Sequence, residues 1–230
     1  MRDMTDAAPL RPQNVSAALP DPAEFGAMLC SRICHDLISP VGAIGNGVEL
    51  LQELDRGASE GAELQLIGHS AQMASASLQF LRIAFGAASP GDVIGMSAVQ
   101  RTARLWFSFQ RPELLWVDAG GETTRSCARL LFNFLQIAAS SLPRGGEVAV
   151  VATRDSAGET LLEVTAAGPV VSPSPDAGAW LAGRATETPA GPRDAHYLAA
   201  AAHARAAGTV ISLHKDETCL RLTADMPPGV

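Results

Sequence analysis

What this sequence lacks narrows its class first. It has no cluster of lysine and arginine: 17 basic residues stand against 24 acidic ones over 230 positions, a formal charge of -7. Proteins that bind nucleic acid through a basic surface hold the phosphates with grouped cations, so this charge pattern argues against a DNA or RNA partner. The opening residues, MRDMTDAAPLRPQNV, contain no apolar core of signal-peptide length. No later stretch approaches the roughly 20 apolar residues that cross a bilayer. A cytoplasmic protein without a membrane partner is expected. The four cysteines, Cys30, Cys34, Cys127 and Cys219, form no Cys-x-x-Cys pair. Neither a disulfide framework nor a structural zinc site is therefore expected, and the thiols should be reduced.

Hydrophobic residues make up 47% of the chain and charged residues 18%, enough apolar material for one or two packed domains. Residues 1–20 are rich in Ala, Pro and Asp without periodicity and read as a mobile tail. Asp21 is a suitable helix N-cap, Pro22 suits the first helical position, and Glu24 completes a capping-box spacing. Leu29, Ile33, Leu37, Ile44, Val48 and Leu51 then form one apolar stripe, ending near Leu54 and Gly57. A second helical pattern opens near Ser59 and carries Ile67, Ala71, Ala74, Leu78, Leu81 and Phe85 up to Gly86. By rise per residue these helices are about 50 and about 40 Å long, too long for one hairpin to bury its own stripe. A homodimer sharing a four-helix bundle, with residues 21–88 of each copy forming a hairpin, is the economical expectation.

Beyond the AASPGD linker, residues 92–228 show shorter mixed elements. Helices are expected at 94–109, 123–141 and 194–207. Strands are expected at 114–117, 147–153, 160–165, 209–214 and 218–224, with Gly158 at a turn. Residues 167–193 read as a Gly- and Pro-rich loop with a short helical turn around Trp180. The class is α+β, with helices on one side of a sheet.

The segment CHDLISPVGAIGNG places His35 inside the first helix, about 200° around from Ile33 and so away from the apolar stripe. Its helical neighbours Glu24, Met28, Ser31, Ser39, Gly42 and Asn46 are mostly small or polar, which lets another protein approach closely. Pro40 leaves the Asp36 carbonyl without its helical donor, and a bend is expected just past the histidine. Histidine as a residue type titrates near 6.5, so at neutral pH one ring nitrogen is free as a nucleophile. Asp36 is placed to hold the proton on the other nitrogen and to stabilise charge as the ring attacks phosphorus. Arg32 and Ser31 border the same face, and Ile38 lies on its shoulder, as a docking contact for a partner or as an edge of the core.

His35, Asp36, Leu37 and Pro40 resemble the H-box of histidine kinase dimerisation domains. The wider stretch HDLISPVGAIGNGVELL, with QFLRIAFGA at 79–87, resembles the ChpT-type histidine phosphotransferases of alphaproteobacterial cell-cycle relays, and the order of elements extends the resemblance over about residues 22–228. The family implies a homodimeric helical bundle with a degenerate, Bergerat-type ATPase-like α/β sandwich attached to each hairpin. It implies phosphate taken from the receiver domain of a hybrid kinase, CckA-like, and passed to CtrA-like and CpdR-like response regulators. His35 matches the phosphoacceptor and Asp36 its acidic neighbour. The receiver supplies Mg2+, and this chain is expected to bind no cofactor stably.

An ATP-using domain of that architecture needs a pair of Asn on one helix, an Asp-x-Gly-x-Gly turn and a glycine lid. Here Asn133 is kept, but Ile137 stands where the second Asn belongs. The adenine-reading turn is Ala166, Ala167, Gly168, Pro169, Val170, and the lid is reduced to Gly191 before Pro192, Arg193 and Asp194. No ATP-dependent kinase activity is expected. His69 lacks an acidic or proline signature, and His196, His203 and His214 read as ordinary surface or packing residues. Cys30 and Cys34, one turn apart, read as small packing groups rather than metal ligands. The rival reading is a pseudo-kinase binding module that sequesters a kinase or regulator without accepting phosphate.

Overall fold

The computed structural model describes residues 20–53, 61–87, 89, 91–116 and 120–229. The tail expected at 1–19, the helix stop near Gly57, the start near Ser59 and the last strand residue Val117 lie outside them. Helix α1 spans Pro22–Glu53 and α2 spans Gly61–Phe85, and together they form the expected hairpin. Asp21 caps α1 as its sequence suggested, its Oδ1 accepting from the Ala23 amide at 2.9 Å. The α1 helix is continuous through Pro40. The two helices pack tightly at Gly47, where an added Cβ would lie 2.6 Å from Cγ1 of Ile67.

The second unit begins with β1 (Val93–Gly95), α3 (Met96–Phe107), β2 (Glu113–Trp116), β3 (Glu122–Thr124) and α4 (Arg125–Ser140). It continues with β4 (Glu147–Arg154), β5 (Thr160–Ala167), α5 (Ala177–Leu181), a 3-10 turn at Pro192–Asp194, α6 (Ala195–Ala206), β6 (Ser212–Lys215) and β7 (Cys219–Met226). The main sheet has the order β2-β4-β5-β7-β6, with β2 parallel to β4 and the other pairs antiparallel. Its register places Trp116, Val150, Val164, Leu222 and Leu213 side by side in one row. That row faces the core, because strand side chains alternate faces and the neighbours Val151, Arg221 and Leu115 lie on the exposed side. Leu130, Leu131, Phe134 and Leu135 of α4 cover the row, and α6 packs on α4. The α+β architecture expected from the sequence is present.

Two details differ. Residues 93–95 and 122–124 form a small antiparallel sheet, with Ile94 opposite Thr123, where the starts of two helices were expected. The strand expected from 209 begins at Ser212, because Gly208 takes a positive φ of 70° and the chain must first clear the end of α6.

Hairpin and sandwich share one core. Phe80 of α2 is fully buried (0% exposed) between the rings of Trp106, 4.1 Å away, and Phe132, 4.4 Å away. Met28 and Ala84 join the same cluster. The carbonyl of Ala84, in the last turn of α2, accepts from Asn133 Nδ2 at 3.1 Å and lies 3.2 Å from His203 Nε2. The second unit therefore supplies donors to a helix end that has no partners of its own.

Candidate phosphoacceptor site

His35 sits on α1 with its side chain 65% exposed, facing away from the apolar stripe as its helical position requires. Its Nδ1 lies 3.2 Å from Oδ1 of Asp36. An ionised carboxylate can only accept, so this contact keeps the proton on Nδ1 and leaves the lone pair on Nε2. Asp36 is itself fixed: its Oδ2 accepts from Arg32 Nε at 2.9 Å, one helical turn back. Arg32 was expected on the open face beside the histidine. It is instead only 17% exposed and lies against the second unit, donating from Nη1 to the carbonyl of Arg193 at 3.0 Å.

The turn that carries this carbonyl is itself tied, since Asp194 Oδ2 accepts from the Gly191 amide at 3.0 Å. His196, in the first turn of α6, lies behind it, 2% exposed, with Nε2 3.4 Å from Ser140 Oγ. Burial first, and then the nearby Arg32 charge, push the His196 pKa well below the ordinary histidine value. His196 is therefore held neutral beside Arg32. Neither this buried histidine nor the inward turn of Arg32 has a signal in helical periodicity, because the partners are distant in sequence.

Of the other residues expected on the acceptor face, Ser31, Ile38, Ser39, Gly42 and Asn46 are exposed, Ile38 and its neighbour Val41 among the most exposed large apolar residues. Met28, expected beside them, is buried under the second unit. Pro40 is also buried. Cys30 and Cys34 are exposed rather than packed, and the described residues contain no group of three His, Cys, Asp or Glu placed to hold a metal ion. His69 stacks edge-on with Phe109 at 5.3 Å, and His214 is exposed on β6. His203 is pushed down to about 4 by burial and then by the Arg129 charge.

The positions that would serve a nucleotide are occupied otherwise. Asn133 spends its amide on the carbonyls of Ala84 and Arg129. Ile137 and Ala166 are fully buried. Trp180 and Tyr197 lie within the core beside α6, ring centres 5.7 Å apart, and the Trp180 indole donates to Thr186 Oγ1 at 3.0 Å.

Comparison with known proteins identifies the family of the chain. The family described as histidine phosphotransferase C-terminal domain matches residues 96–219. Protein phosphotransferase ChpT of Brucella abortus (strain 2308) is 51% identical over 128 residues, 55% of this chain and 60% of that protein. The chain thus aligns with less than two thirds of that relative's length. A solved bacterial phosphotransferase shares 35% identity at a TM-score of 0.79, covering 90% of this chain and 98% of its own. The family match spans more than half of the chain and the solved relative nearly all of it, so the chain belongs to the histidine phosphotransferase family.

Proposed function

We propose that this protein is the histidine phosphotransferase of a two-component phosphorelay, accepting a phosphoryl group on His35 from one receiver domain and delivering it to another. The observation that carries the reading is the pairing of an exposed His35 with Asp36 at its Nδ1. Nε2 attacks the phosphorus of a receiver's aspartyl phosphate in line. The bond from phosphorus to the aspartate oxygen breaks, and that carboxylate leaves with the electron pair. The ring, now carrying phosphate on Nε2 and a proton on Nδ1, is stabilised by the Asp36 carboxylate. The return step reverses these events on a second receiver. In this reading magnesium arrives with the receiver, and the chain's own task is to hold the imidazole at the right angle.

The donor is the receiver of a hybrid kinase of the CckA-like kind, and the acceptors are CtrA-like and CpdR-like regulators, as the resemblance implies. Ile38, Val41, Ser39, Gly42 and Asn46 form the docking face around the histidine. The protein works as a homodimer, because Val48, Leu50, Leu64, Leu66 and Leu78 leave large apolar side chains of the hairpin open to solvent in a single chain. It does not phosphorylate itself from ATP: the residues at the nucleotide positions are apolar, as at Ile137 and Ala166, or engaged elsewhere, as at Asn133.

The test is to mix purified protein, without ATP, with a receiver domain carrying labelled phosphate. The expected result is acid-labile, base-stable label on the protein that disappears in His35→Ala. No label from hybrid-kinase receivers would favour the binding-module reading. Label incorporated from ATP by the protein alone would refute the nucleotide part.

A further inference from the structure

We infer that Arg32 is a positioning residue for phosphotransfer, through which the 191–194 turn of the second unit sets the orientation of His35. This rests on the phosphotransferase reading and adds a role for the second unit within it.

The contacts form an unbroken series. Asp194 Oδ2 ties the Gly191 amide at 3.0 Å and so fixes the turn that presents the Arg193 carbonyl. That carbonyl accepts from Arg32 Nη1 at 3.0 Å, while Nε of the same guanidinium donates to Asp36 Oδ2 at 2.9 Å. The other oxygen of Asp36 meets His35 Nδ1 at 3.2 Å. Exposure increases along the series, from 17% at Arg32 through 23% at Asp36 to 65% at His35.

A planar guanidinium presents its donors in fixed directions. Arg32 can satisfy both acceptors only when turn and helix keep their present spacing. Without it, Asp36 regains rotamer freedom and the exposed imidazole loses its stop against rotation. Less of the ensemble then points Nε2 outward along the line of attack.

The experiment measures transfer from a labelled receiver in single turnover, as a function of receiver concentration, for the wild type, Arg32→Gln, Arg32→Lys and Asp194→Ala. Expected for Arg32→Gln is about a tenfold fall in maximal rate, with half-saturation within about twofold of wild type. Arg32→Lys, which keeps the charge but cannot span both acceptors, should not restore the rate. Asp194→Ala should lower the rate in the same direction, and its effect should be less than additive with Arg32→Gln. An unchanged maximal rate in Arg32→Gln overturns the inference, and so does a loss confined to half-saturation, which would mark Arg32 as a receiver contact. Should Arg32→Gln fail to fold, full activity of Asp194→Ala overturns it independently. A wild type that takes no label removes the phosphotransferase reading itself, a result distinct from any of these.

Discussion

His203 offers the most exact test of how the two units are joined. It lies in the shared interface, its Nε2 3.2 Å from the Ala84 carbonyl, and burial together with Arg129 pushes its pKa down to about 4. In the unfolded chain it titrates near 6.5. Between these values the unfolded state binds a proton that the folded state refuses, so stability falls as pH drops through that window and is unaffected above it. At pH 5 the linkage amounts to about 2 kcal/mol relative to pH 7.5. His203→Gln retains a donor for the Ala84 carbonyl and does not titrate. Urea unfolding at fixed protein concentration, followed by tryptophan fluorescence, should show the wild type losing about 2 kcal/mol more than the variant between pH 7.5 and 5. Parallel losses in both proteins would refute the buried, neutral state assigned to His203.

Three further outcomes follow from the same geometry. Phe80→Ala removes the ring held between Trp106 and Phe132; it should cost about 4 kcal/mol in urea unfolding, and a loss below about 1 kcal/mol would show that Phe80 is not the joint between hairpin and sandwich. Asp36→Asn keeps an acceptor near Nδ1 but removes the charge that stabilises the phosphorylated ring. Transfer should slow by about 10- to 100-fold with receiver affinity little changed, which single-turnover kinetics and a receiver titration will separate. Val48→Glu combined with Leu64→Glu places charges at two of the exposed apolar positions of the hairpin and should convert a dimer to a monomer in sedimentation. A dimer that persists would place the interface elsewhere.

Much of this was legible in the sequence because it is periodic. The α2 stripe is only partly buried, with Ala74 and Leu81 inside and Ala71 and Leu78 exposed, but the alternation of β7, where Leu220, Leu222 and Ala224 point inward, followed directly from residue spacing. So did the outward direction of His35. What escaped is what depends on contacts far apart in the chain. Phe80 falls outside the spacing that joins Leu78, Leu81 and Phe85, yet it is fully buried in the joint, because the second unit covers a different side of α2. Arg32 looked like a surface cation beside the histidine, and only the return of the chain at Arg193 reveals its commitment. Cys30 and Cys34 were read as packing groups, and both are exposed. The β1–β3 pair is too short, at three residues each, for alternation to register.

The doubly engaged carbonyl at Ala84 has one more consequence. A kinase must let its nucleotide domain travel, because the γ-phosphate has to be carried to the histidine and then withdrawn before a receiver can land. Here an asparagine of the kind that would serve a nucleotide holds the end of α2 instead. That bond and the His203 contact tie the second unit to the end of α2. In the proposed relay, traffic over His35 would then be set from outside, by which receiver arrives, how often, and whether it comes loaded.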